Sequence, residues 1–131
     1  VLVTSAIEGL RILGLCDYFS TAPSGGSERA ALELYSRLAT QGATVRVITT
    51  MLRANQRTPN LPGLEVTVMP SIDLARPLGV QAGLSPALFT RVRSIATAFK
   101  PDVIHGHTLF FQSSLAAAIL PRAPGVPLVT T

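Results

Sequence analysis

Tryptophan is absent from the sequence, cysteine occurs once, and lysine occurs once, as Lys100. The lone Cys16 excludes an internal disulfide framework and fits a reducing compartment, which points to the cytoplasm. Charged residues are only 14% of the 131, against 47% hydrophobic, and that balance excludes a disordered chain. No apolar run is long enough to cross a bilayer. Val1 to Leu10 lacks a basic n-region and is broken by Glu8, so it does not read as a secretory signal. Aromatics are 5%, and no five basic residues cluster, which argues against a nucleic-acid partner.

A chain of this length forms one domain with one core and buries roughly two thirds of its extended surface. Its net charge of +4, carried almost wholly by arginine, fits either a solvated surface or an anionic partner. Nucleotide phosphates and an acidic membrane surface are the two candidates. Arg53, Arg57, Arg76, Arg91 and Arg93 would serve a peripheral contact at the inner membrane face, unless they are simply scattered on the surface.

Residues 1–10 read as a leader or tail, and residues 11–131 as the domain. Arg11-Ile12-Leu13-Gly14-Leu15-Cys16 is almost continuously apolar, as a central strand buried on both faces requires. Asp17 to Gly26 reads as a loop with a Ser24-Gly25-Gly26 turn. The period then changes: Ala31, Leu32, Leu34, Tyr35, Leu38 and Ala39 share a helical face, with Ser27 expected as N-cap and Gly42 as the stop. Thr44 to Thr50 is the second strand. Leu64-Glu65-Val66-Thr67-Val68 alternates, which marks a half-buried edge strand. Pro70 to Gly83 reads as loop, with room for one short helical turn.

Ser85-Pro86 starts a helix with proline at its first position, and Leu88, Val92, Ile95, Ala96 and Phe99 form its apolar face. Val103 to His107 is a short strand, a small-residue helix follows Ser113, and Val126 to Thr131 is a fifth strand. This alternation predicts an α/β fold, a Rossmann-like three-layer sandwich on a parallel sheet of order 3-2-1-4-5.

Two places carry candidate chemistry. Gly25 and Gly26 let the backbone bend tightly where the first strand meets the first helix, and the helix amino end there presents free N–H groups. A plain strand-to-helix turn would use the same residues; neither a Gly-x-Gly-x-x-Gly fingerprint nor a phosphate loop is present. The second place is His105-Gly106-His107. Alternate strand residues face one way, and open parallel sheets bind ligands beyond the carboxyl ends of their strands. Paired imidazoles there suit a sugar hydroxyl or, when protonated, a phosphate. A metal site would need a third ligand, for which Cys16 or Asp17 are the available residues. Asp17 is also the best placed acid, whereas Asp102 falls at the opposite end of its strand and reads as structural.

These landmarks, taken in order with Leu38-Ala39-Thr40-Gln41-Gly42-Ala43-Thr44-Val45 between them, resemble the amino-terminal domain of a retaining glycosyltransferase of family 4. That family has two facing Rossmann-like domains, and the resemblance runs from about Arg11 to Thr131. It implies an acceptor-side domain working with a carboxyl-terminal domain that holds most of a nucleotide-sugar donor. Gly25 and Gly26 would lie against the donor diphosphate and sugar, His107 would be the catalytic histidine facing the transferred sugar, and Glu28 matches the acid of the glycine-loop motif. Asp17, Ser27, His105 and Thr108 complete the acceptor-side or secondary set. No cofactor and no metal are implied.

Two departures stand out. Thr108-Leu109-Phe110-Phe111 is apolar where many relatives are more polar, which leaves the acceptor open. No two glutamates lie eight residues apart, so the donor-domain motif is missing. The chain alone is therefore expected to be inactive, with bare apolar surface that favours self-association. The rival readings are a non-catalytic nucleotide- or phosphate-binding module of the same fold, and a metal-dependent hydrolase built on Cys16, Asp17 and the histidines.

Overall fold

The computed structural model describes residues 6–22, 25–51, 57–73, 83–107, 112–120 and 124–131. Strand β1 (Arg11–Tyr18) is buried at every position but its first and last, which fits its apolar sequence. It pairs in parallel with β2 (Thr44–Met51) on one side and with β6 (Val103–Gly106) on the other. Beyond β2 lies β3 (Leu64–Val68), and beyond β6 lies β7 (Leu128–Thr130), both parallel. The sheet order is β3-β2-β1-β6-β7, the expected 3-2-1-4-5 among its five strands. The alternating β3 is an edge, and its outer end opens to solvent at Val68.

Helix α1 (Gly26–Thr40) packs on one face of the sheet through Ala31, Tyr35 and Ala39, against Ile12, Cys16, Val45 and Val47. Helices α2 (Pro86–Phe99) and α3 (Gln112–Ile119) cover the other face, where Leu88, Val92 and Ala116 meet Leu13, Leu15, Ile48 and Ile104. Successive residues of β1 thus feed two separate cores, as the period of a strand demands. Among the described residues no helix is long and apolar enough to cross a membrane.

The helix ends follow local chemistry. Ser85 caps α2 by accepting the Leu88 N–H at 3.3 Å, and Pro86 takes the first helical position. At the far end Lys100 turns left-handed (φ 53°) before Pro101. Gly42, at φ +97°, closes the turn after α1.

Several expectations are corrected. β1 continues two residues past Cys16, because Asp17 and Tyr18 stay alongside β2, with Tyr18 opposite Met51. Helix α1 begins at Gly26 with Gly25 as N-cap, so Ser27 is not the cap and its polar groups are used elsewhere. Within the segment read as loop, β4 (Ile72–Asp73) and β5 (Gly83–Leu84) pair antiparallel as a two-residue ribbon. The short helical turn expected between them lies outside the described residues. Before β1, Ile7 and Leu10 pack onto the α1-side core, and the Gly9 N–H donates to the Gly42 carbonyl at 3.0 Å.

Asp102 is structural, as expected. Its carboxylate accepts the Arg11 N–H at 2.8 Å, tying the starts of β6 and β1 together. The Arg11 guanidinium lies 4.5 Å from the Phe99 ring centroid and donates to the Phe99 carbonyl.

Candidate functional site

The carboxyl ends of β1 and β6 lie side by side, and the amino end of α1 stands over them. The His107 N–H donates to the Leu15 carbonyl at 2.9 Å, which carries the β1–β6 pairing one residue past the strand. Its imidazole then reaches α1: Nε2 lies 2.9 Å from the Ser27 carbonyl oxygen and 3.1 Å from Ser27 Oγ. The bend and the imidazole therefore share one rim, although 80 residues separate Ser27 from His107.

Gly25 and Gly26 border open space. A Cβ built on either would meet nothing within 4 Å. Gly25 is extended (φ −138°, ψ 168°), a conformation open to any residue. Neither packing nor backbone strain demands glycine here. Small residues at an exposed helix amino end leave the backbone N–H groups accessible to an anion.

His105 sits behind His107. It is only 6% exposed, and both of its ring nitrogens are engaged inside the protein. Nδ1 is 2.7 Å from the Tyr35 hydroxyl and Nε2 is 3.1 Å from Thr131 Oγ1. Burial first, and the neighbouring His107 second, hold its pKa below the ordinary 6.5. Thr131 Oγ1 also lies 3.2 Å from His107 Nδ1, so one hydroxyl joins the two imidazoles.

Tyr35 can reach His105 only because β1 carries glycine at its middle. Gly14 lies opposite His105 in register, and a Cβ there would fall 2.4 Å from Tyr35 Cζ. A glycine inside a strand commonly marks such a close approach.

Asp17 is buried at the end of β1, where its carbonyl accepts from the Thr49 and Thr50 hydroxyls at 3.0 and 3.3 Å. Its carboxylate meets Thr50 Oγ1 at 3.4 Å. Glu28 is half-buried in the first turn of α1. Burial, then the charges of Asp17 and Glu28, push the Cys16 thiol far above its ordinary pKa. A buried thiol held protonated is a poor nucleophile. Cys16 and Asp17 are also consecutive in a strand and point to opposite faces of the sheet. Among the described residues no group of three or more His, Cys, Asp or Glu side chains could hold a metal ion. Thr108 lies outside the described residues.

Sequence reasoning missed Tyr35, Thr131 and Gly14. A phenol on the apolar face of a helix needs a buried hydrogen-bond partner, and that was the available signal for Tyr35. Thr131, in a β-branched run, carried none.

A parallel sheet of this order, with a glycine bend, a helix amino end and an imidazole gathered at its carboxyl rim, defines a Rossmann-like α/β domain. The family model of the glycosyl transferase 4-like domain matches residues 25–131, and the chain belongs to that family. The match runs from the first glycine of the bend through both histidines, so the function is of glycosyltransferase type. No curated protein matches the sequence.

Proposed function

We propose that this chain is the acceptor-side half of a glycosyltransferase that moves a sugar from a nucleotide-sugar donor to a hydroxyl acceptor with retention of configuration. A second domain would hold most of the donor. The observation that carries the reading is the meeting of Gly25-Gly26-Ser27 with His107 on one exposed rim. The backbone N–H groups of Gly26 and Ser27 at the start of α1 would receive phosphate oxygens of the donor, with the helix dipole favouring their charge. The His107 Nε2–H, which the Ser27 carbonyl accepts, would turn to an oxygen of the transferred sugar. His105 stays behind it as support, and Glu28 borders the bend. The chain supplies positioning and hydrogen bonds, and half of the site comes from the partner domain.

A sugar-transfer assay tests this, run on the full gene product carrying this chain and on the 131-residue chain alone. The expected result is transfer with the anomeric configuration kept for the former, and binding without turnover for the latter. Inversion of configuration, or turnover by the 131-residue chain, would overturn the proposal.

A further inference from the structure

Four hydrogen bonds link Tyr35, His105, Thr131, His107 and Ser27 into one file from the core to the surface. Tyr35 is fully buried, His105 is nearly so, His107 is half-buried, and Thr131 and Ser27 are exposed. The direction of every bond follows from its outer end. A carbonyl oxygen can only accept, so the 2.9 Å contact to the Ser27 carbonyl requires the His107 proton on Nε2. The neighbouring Ser27 Oγ, at 3.1 Å, can share that proton but cannot place one on the same nitrogen. In a neutral ring Nδ1 is then a bare acceptor, and the Thr131 hydroxyl must donate to it across 3.2 Å. That uses the only proton of Thr131, so its oxygen accepts from His105 Nε2 at 3.1 Å. His105 Nδ1 is left to accept, and the Tyr35 hydroxyl donates to it at 2.7 Å. No nitrogen or hydroxyl in the file is left with two protons facing each other, or with none between them.

We infer that Thr131 is a positioning residue that works with the Ser27 carbonyl to fix His107 as the Nε2–H tautomer, with that N–H aimed at the glycine bend, and that Tyr35 holds His105 behind it in the same tautomer. The notch at Gly14 supports this independently. β1 gives up a side chain at the one place where the Tyr35 ring must cross to reach His105. Burial and then Cys16 raise the Tyr35 phenol well above its ordinary range, so it remains a donor throughout. A histidine locked as Nε2–H presents a donor to a ligand oxygen at all times, whereas a free imidazole divides its population between two tautomers. The role in sugar transfer rests on the function proposed above; the tautomer is a property of the chain alone.

Long-range proton–nitrogen NMR spectra of the 131-residue chain, with its histidines nitrogen-labelled, read the tautomers directly. Both rings are expected as single Nε2–H species at neutral pH. In Thr131→Val, with only the Ser27 contact left to hold the ring, the His107 signals should shift part of the way toward tautomer-averaged positions, and Thr131→Ser should restore them. Tyr35→Phe should release His105 while leaving His107 nearly unchanged, and the amide spectrum reports whether each variant is folded. A wild-type His107 found as Nδ1–H, or unmoved in folded Thr131→Val, would overturn the inference, and the wild-type spectrum decides even if no variant folds. Locked tautomers in a chain that binds no nucleotide sugar would leave the relay standing and remove the function. Nucleotide-sugar binding at an Nδ1–H His107 would do the reverse.

Discussion

The Ser27 carbonyl accepts the His107 Nε2–H at 2.9 Å and so fastens the amino end of α1 to the carboxyl end of β6. In the proposed function the same proton is the group offered to a ligand. Binding therefore replaces an internal hydrogen bond with a new one, and the net gain from that exchange is small. His107→Ala is expected to weaken nucleotide-sugar binding by about 1 kcal/mol, roughly fivefold, the usual net worth of one hydrogen bond. Isothermal titration of the folded variant checks this, and an unchanged affinity would place the donor elsewhere.

Gly25 and Gly26 separate stability from binding. Neither glycine meets a neighbour, and Gly26 is helical, so Gly26→Ala should leave the fold intact or stabilise it by up to about 1 kcal/mol. The added methyl stands where a phosphate would approach, and binding should fall about tenfold, or 1.4 kcal/mol. Paired urea unfolding and titration measurements test the split. Loss of stability without loss of affinity would make the bend merely structural.

Gly14 behaves in the opposite way. A methyl group there would force the Tyr35 ring aside from a 2.4 Å approach. Gly14→Ala is expected to cost about 1–3 kcal/mol of stability, as overpacking a filled core does. It should also break the Tyr35–His105 bond, visible as a shift of the His105 ring signals. Stability within experimental error of the wild type would contradict the packing seen between β1 and α1.

His105 makes stability depend on pH in a defined sense. Its pKa lies below 6.5 in the folded chain and returns to about that value on unfolding. Below 6.5 the unfolded chain binds the extra proton, so stability rises with pH through that window and levels off above it. The Tyr35 phenol and the His107 ring stand against His105. Urea midpoints measured from about pH 5 to about pH 7.5 should climb for the wild type and climb less for His105→Asn. Equal slopes would mean that His105 is not held neutral.

The sheet was legible because burial is written into the strands. Arg11 to Cys16 has no polar alternation and lies at the centre, while Leu64 to Val68 alternates and lies at the edge. The strand end was not legible, since Asp17 and Tyr18 look like loop residues yet remain in line with β2. The ribbon of Ile72–Asp73 with Gly83–Leu84 is too short to show a period. Ser27 looked like a helix cap by residue type, but the helix starts a residue earlier and the serine faces His107. The glycine bend and the strand-end imidazole were readable, each from local pattern. The Tyr35–His105–Thr131 file was not, because it joins residues 70 and 26 positions apart through single side chains.

The central claim is that the bend of α1 and the imidazole after β6 form one ligand-binding rim. Titration of a nucleotide sugar into the nitrogen-labelled chain, followed at the Gly25, Gly26 and Ser27 amides and at the His107 ring, tests it most directly. All four sets of signals are expected to move together along one saturation curve. Movement of the amides with a stationary His107 ring, or of neither, would contradict it.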